Sequence, residues 1–433
     1  MKRATKLLCL VMALILTMTL FSGCISTGEA TDEDKVLEMT IGIPVGVNDP
    51  EFADWQPIIS YWKEDLAMFY NFDVSFVTVP NDEDGMKDFM KKVKRGDVAL
   101  FFADQSAYTD AMVDQEYVID MDGIRAKYTG FMEEKGAALF DLSAEADRTN
   151  FMIPLAGDYQ GLFINEALFT ANELAIPTDW ASLQAAITKF AELGITPIAA
   201  GFADQGLEYM VDEMILAEGG TAEHSYQPTF GVVSSWERAV TDIKALETAG
   251  AFTPDCYNVS FESAKQAFLG GQAAMIVAPA SEIVTEADED TTKVVSFPCT
   301  PTGKKEAGAF IGDIPTGIYI SYEFFMKTNT RYADMIMDFL SDDYAYSSDV
   351  LDLILDEDDF CAVESYYDFA SSTLGDSVNA LANGAKAADR PMRDASATVD
   401  TTVASFRKAL TGTDVTTALL EATDAAINGG AAE

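Results

Sequence analysis

The chain has 433 residues, nearly half of them apolar, enough to bury large cores as two domains or one elaborate one. Its 28 basic residues face 71 acidic ones, a net charge of −43. That balance excludes nucleic acid as a partner, because phosphate-backbone binding needs clustered Lys and Arg, and it repels the body from anionic membrane surfaces.

At the start, Lys2, Arg3 and Lys6 precede an uncharged apolar run from Leu7 to Phe21, the layout of a secretory signal. The run is short for a permanent membrane span. Phe21-Ser22-Gly23-Cys24 resembles the lipobox of bacterial lipoproteins, where a cysteine follows Leu and two small residues. The resemblance implies cleavage after residue 23, diacylglyceryl modification of Cys24 and lasting membrane attachment through two or more acyl chains. An ordinary signal with an incidental cysteine is the alternative. The polar, acidic "ISTGEATDEDK" lacks periodicity, so residues 24–36 read as a flexible tether. No later apolar stretch is long enough to span a membrane, which predicts a soluble body.

From Leu37 the pattern alternates. "LEMTIGIPV" reads as a strand and "DWQPIISYWKEDLAMFY" as a helix with Ile58, Trp62, Leu66 and Phe69 on its inner face. "FDVSFVTVP" alternates at period two, the mark of a strand. Met86, Phe89, Met90 and Val93 share one face of a helix that stops at Gly96, and "VALFFAD" is a strand buried on both faces. The rhythm restarts after "FMIPLAGDYQGLFINEALF". Thr178 or Asp179 caps a helix with Leu183, Ile187 and Phe190 inward, ended by Gly194. The strand "ITPIAAG" follows, then a helix through Trp236, Val240, Ile243 and Leu246, a helix capped by Ser260, and the buried strand "AAMIVAP". Two α/β units in series, each a mostly parallel sheet covered by helices, are the fold this predicts.

Five cysteines at 9, 24, 256, 299 and 361 show no CxxC or Cys/His spacing, so no metal site is read. Among Cys256, Cys299 and Cys361 either one pair or three buried thiols are open. His224, the one histidine, stands in the loop-like "GGTAEHSYQPT" and reads as solvated. No GxSxG elbow, HExxH helix, Walker loop or GxGxxG fingerprint occurs, so neither an enzyme nor a cofactor is expected.

Four segments in order resemble the bacterial extracellular solute-binding protein family 1, the sugar-binding lipoproteins of ABC importers that are similar to maltose-binding protein. They are "KRGDVALFFADQSAYTDAMVDQEYVIDMD", the stretch from Pro154 through Asn165, Leu168, Phe169, Pro177, Trp180, Leu183 and Gly194 to Ile198, "SFESAKQAFLGGQAAMIVAP", and "FPCTPTGKKEAGAFIGDIPTGIYIS". The resemblance implies a two-lobed periplasmic-binding-protein fold of type II with a hinge of crossing strands. The lobes expected are 37–152 plus about 303–345, and 153–302 plus about 346–433. It implies a monomer that captures a mono- or oligosaccharide by hinge closure and delivers it to ABC permease subunits, tethered to the outer face of the cell membrane through lipid on Cys24. A polyamine or other cation as solute, or a sensory surface role, is the alternative.

In open parallel sheets, ligands bind beyond the carboxyl ends of the strands. That rule selects Asn48 after the first strand, Asp104, Gln105 and Tyr108 after the third, Phe202, Asp204 and Gln205 after "PIAAG", and Ser281 after "AAMIVAP". The crossovers add Asp158, Tyr159, Phe310 and Asp313, and Trp55 stands near the start of its helix. Carboxylates and amides fix sugar hydroxyls while aromatic faces cover C–H surface. Each has a rival role: Asp104 as a helix cap, Tyr159 in hinge packing, Phe202 in the core. Trp62, Trp180 and Trp236 fall at core spacing. Leu155 and "APASEI" stand where the family often carries stacking aromatics, which leaves room for a smaller or non-sugar solute.

Overall fold

A computed structural model describes residues 35–104, 106–120, 124, 151–224, 234–313, 316–341, 343–355, 360–361, 372–383, 387–389, 396–412 and 418–419. The leader and Cys24 lie outside them.

The first unit follows the sequence pattern. Strand β1 (Leu37–Ile43), helix α1 (Phe52–Tyr70), β2 (Phe72–Thr78), α2 (Glu83–Lys94), β3 (Leu100–Asp104) and α3 (Ala107–Asp114) come in that order. The Asp82 carboxylate caps α2 by accepting from the Gly85 N–H at 2.9 Å, and Lys91, Lys92 and Lys94 finish it where the helix dipole favours cations. Helix α1 buries Trp55, Ile58, Trp62 and Leu66 against the sheet. Trp62 is fully enclosed, stacked on Phe102 at 6.2 Å and edge-on to Phe339 at 4.8 Å. Phe69, which periodicity places on the same face, is instead 69% exposed. Nineteen helical residues run about 28 Å, whereas the seven of β1 rise about 23 Å. The last turn of α1 therefore passes the end of the sheet.

The chain then continues through β4 (Ile153–Pro154), β5 (Ala156–Asn165), α4 (Glu166–Ala171), α5 (Trp180–Leu193), β6 (Thr196–Ala199), α6 (Gly206–His224), α7 (Ser234–Thr248), α8 (Phe261–Leu269) and β7 (Ala273–Pro279). Asp179 caps α5 from the Ser182 N–H at 2.8 Å, and Gly194 ends it at φ 72°, a left-handed conformation that glycine adopts without strain. Ser260 caps α8. Next come β8 (Thr292–Val295), β9 (Phe310–Asp313), β10 (Thr316–Ile320), α9 (Tyr322–Phe325), α10 (Arg331–Phe339) and α11 (Ser348–Ile354). Last are β11 (Phe360–Cys361), α12 (Thr373–Asn383), β12 (Ala387–Asp389) and α13 (Ser396–Thr411).

Two sheets result, ordered β2-β1-β3-β10-β4 and β12-β9-β5-β7-β6, with β8 and β11 also paired to β5. Each is parallel but for one reversed strand: β10 runs against β3 and β4, and β5 against β7, β8, β9 and β11. The reversal has a geometric cause. The chain crosses from β4 to β5 with one residue between them, and from β9 to β10 with two. A strand that keeps its direction while passing between two sheets whose carboxyl ends face each other must enter the second one backwards. The two-lobed α/β fold is thus built on these crossings.

Sheet membership differs in detail from the lobe limits expected above. The second sheet keeps the chain as far as Asp313, beyond the expected change near 303, and α11 lies against α1 on the first sheet's side. Helical and strand periodicity mark elements without saying which sheet receives them.

Candidate functional site

The crossings bring the carboxyl ends of both sheets to one place. At the first sheet, Asp104 ends β3 opposite Thr316, whose hydroxyl donates to the Asp104 carboxylate at 2.7 Å. At the second, Asp158 near the start of β5 pairs with Asp313 at the end of β9. The Asp158 carboxylate accepts from the Tyr159 N–H at 2.7 Å, the Ser281 N–H at 3.1 Å and the Ser281 hydroxyl at 2.6 Å. Asp158 thereby fixes the loop that leaves β7. Three Cα–Cα steps join Asp313 to Thr316, so the α-carbons of Asp104 and Asp158 stand within about 22 Å of each other. Both stand at the carboxyl ends of their sheets, beside the crossings.

The other expected site residues divide. Asn48 and Gln205 are exposed near strand ends, and Tyr108 is half-buried in the first turn of α3, which Ser106 caps. Asp204 is exposed but engaged: its carboxylate accepts from the Phe261 N–H at 2.7 Å and so tethers the β6 loop to the start of α8. Tyr159 and Phe310 are buried, their rings 5.3 Å apart, and Phe360 meets Tyr159 at the same distance. They pack the crossing rather than face solvent. Phe202 is core, between Phe252 and Tyr257. Trp55 is core as well, edge-on to Trp62 and Phe102, because the first turn of α1 already lies over the sheet. Gln105 lies outside the described residues, and Asp313 is placed by its backbone alone.

Sequence reading missed what holds the second wall. Gln160, buried on β5, donates through Nε2 to the Tyr209 carbonyl at 2.9 Å and so fastens α6 to the crossing strand. Helix α6 then buries Asp212, Glu213 and Glu218. The Lys305 ammonium lies 3.4 Å from Glu213 and donates to the Phe297 carbonyl at 2.8 Å. Burial holds the Lys305 pKa below the usual lysine range, and Glu213 opposes that shift. Glu218 accepts from Arg238 at 2.6 Å and from Thr300. Half-buried Asp242 is pushed up to about 6, by burial first and then by its hydrogen bond to Glu218 and that group's charge. At Gly220 the helix breaks with φ 71°, where a Cβ would stand 2.6 Å from the Lys304 carbonyl oxygen. His224 ends this helix fully buried, not solvated in a loop.

Cys256 is a buried free thiol, its pKa pushed up to about 11 by burial and then by Glu247, and Cys299 is a half-buried free thiol. Among the described residues no group of three or more His, Cys, Asp or Glu is placed to hold a metal ion, and no helix is long and apolar enough to cross a membrane.

A sequence profile of the family described as bacterial extracellular solute-binding protein matches residues 59–343. The chain belongs to that family. A search of curated protein sequences returns no match. Among solved structures, this solute-binding protein is similar to a probable secreted solute-binding lipoprotein from Streptomyces coelicolor, at 17% identity and a TM-score of 0.67, covering 90% of this chain and 98% of that one. It is also similar to the bacterial solute receptor AcbH, described as preferring β-D-galactopyranose, at 14% identity and a TM-score of 0.67, covering 91% and 100%. A sugar transporter from Rhizobium etli in an open conformation matches at 14% identity and a TM-score of 0.61, covering 90% and 99%. At these identities the likeness carries the fold.

Proposed function

We propose that this solute-binding protein captures a carbohydrate between its two sheets, closes over it by bending at the β4–β5 and β9–β10 crossings, and delivers it to an ABC permease. One observation supports the reading: the two crossings join the carboxyl ends of the two sheets, where the Asp104–Thr316 and Asp158–Ser281 pairs stand. Carboxylates held by neighbouring hydroxyls are fixed acceptors for sugar hydroxyls, and an unpaired buried hydroxyl costs about 1–3 kcal/mol, which gives discrimination. The descriptions of AcbH as preferring β-D-galactopyranose and of the Rhizobium etli protein as a sugar transporter support the ligand class. In this reading residues 1–23 are a leader, residues 24–36 a tether and Cys24 a lipid anchor on the outer face of the cell membrane. The lobes divide at the two crossings.

The test is a thermal-shift screen against mono- and oligosaccharides, polyamines and divalent ions. A sugar at a hundred times its dissociation constant stabilises by about 2.7 kcal/mol, and Asp104→Asn or Asp158→Asn should shrink that gain. Small-angle scattering should show compaction with the same sugar. A response to polyamines or cations with every sugar silent sinks the carbohydrate reading, as the strong negative charge would then be what recruits the solute.

A further inference from the structure

The end of the first sheet farthest from the cleft has a surface unlike the rest of the chain. The last turn of α1 exposes Met68 (72%) and Phe69 (69%). Beside it is exposed Val36, whose neighbour Leu37 donates its N–H to the Asn71 carbonyl at 3.1 Å. Helix α9, which follows β10, adds exposed Tyr322 and, at its C-cap, Met326, linked to the same end by ring contacts from Phe324 through Tyr332 to Phe72. These five are most of the large apolar side chains that the described residues expose.

Cations gather at the same end. Lys91, Lys92, Lys94 and Arg95 finish α2 there. Lys327 lies over the Phe324 and Tyr332 rings at 4.1 and 4.4 Å. Arg331 reaches the Lys35 and Tyr70 carbonyls at 3.1 and 2.8 Å. Six basic residues of a chain at −43 thus stand at the end that carries this apolar face, Lys91 paired with Asp88 and Arg95 with Asp97.

We propose that this face rests on the lipid bilayer that anchors the chain, so that the second sheet stands outermost and the cleft opens beside the membrane. The proposal rests on the reading of Cys24 as lipid-bearing. Lys35 is where the chain arrives from Cys24, and the eleven intervening steps span at most about 40 Å at full stretch and roughly 18 Å as a coil. The entry point of the body is therefore held close to lipid. Exposed apolar side chains with Lys92 and Lys94 at the same end suit the headgroup boundary, where the stems lie in the apolar zone and the charges reach phosphate. The strong negative charge of the body keeps most of its surface away from anionic lipid, whereas at this end Lys and Arg offset Glu38, Asp73, Asp97 and Glu323.

The test uses the full lipidated chain in vesicles of phosphatidylcholine and phosphatidylglycerol carrying a photoreactive phospholipid, with labelled peptides mapped by mass spectrometry. Peptides holding Met68–Phe69 and Met326 should be labelled about ten-fold above the peptide holding Leu193, an exposed apolar residue at the opposite pole. Met68→Glu with Phe69→Glu should bring them down to the Leu193 level without changing the melting temperature, since both side chains are exposed. Equal labelling of the two poles, or labelling unchanged in the double variant, overturns the proposal. The mass of the peptide at Cys24 is read from the same sample. An unmodified cysteine overturns the anchor and this proposal together, whereas a lipidated cysteine with equal labelling overturns this proposal alone.

Discussion

The two sheets are covered by helices in the same way, yet their interiors differ in kind. The first is packed by aromatic rings, Trp55, Trp62, Phe76, Phe102 and Phe339, and its fully buried polar side chains among the described residues are hydroxyls such as Thr109 and Ser321. The second encloses Asp212, Glu213, Glu218, His224 and Lys305 along and beside one helix. Area removed from water holds the first together, and it tolerates no loss of volume. The second has its own apolar core, with Phe163, Phe190 and Trp236 buried, and adds ions that are costly to leave without a partner.

The largest test of that contrast is Lys305→Met. It removes the ammonium facing a buried carboxylate and should cost about 3–5 kcal/mol in urea unfolding, while Lys305→Met combined with Glu213→Leu should recover most of the loss. A single substitution costing no more than a surface change would show that the pair is not ionised. Trp62→Ala should cost a similar ~3–5 kcal/mol through a cavity that a second polar change cannot relieve. Rescue of it by any charge substitution would erase the distinction between the two interiors.

A smaller, pH-dependent effect belongs to the second interior alone. Asp242 has its pKa raised to about 6, so its ionisation opposes folding as pH rises through that value, although Arg238 moderates the effect. Asp242→Asn should therefore match the parent protein near pH 3, where the carboxyl is mostly protonated in both states, and become the more stable of the two by about pH 8. Unfolding midpoints at both pH values check the sign, and a variant that is weaker at pH 8 contradicts it. Smallest is Ser281→Ala, which removes one hydroxyl from Asp158 and should cost about 1 kcal/mol of stability. If the loop from β7 is thereby loosened, solute binding weakens too, as calorimetry would show.

Most of the fold could be read from the sequence because its signals are local. Asp179, Gly194 and Ser260 cap or end helices as their positions suggest, and alternation marks β1 and β2. The reversed sense of β5 could not be read, since direction within a sheet depends on partners elsewhere in the chain. Nor could the buried ions: Glu213 meets Lys305 and Glu218 meets Thr300 across 92 and 82 residues, and nothing next to either acid announces the match. Strand ends selected Asp104 and Ser281 and the crossovers Asp158, and the structure pairs Thr316 with Asp104 and Ser281 with Asp158. Phe202 after its strand and Trp55 near its helix start are both buried, because an aromatic side chain is drawn into the core by its area.

The crossings also order the assembly of the chain in time. Strand β10 fills the place between β3 and β4, yet Thr316 follows its partner Asp104 by 212 residues. Closing so long a loop in an unfolded chain costs about 5 kcal/mol of entropy. The pairs formed by β5, β7 and β9 lie within one uninterrupted stretch and need no later residue. Once that stretch has folded, Asp158 and Asp313 are side by side and the long loop has shrunk to two short joints. The second sheet is therefore the template on which the first is completed, and until then β3 carries an open edge.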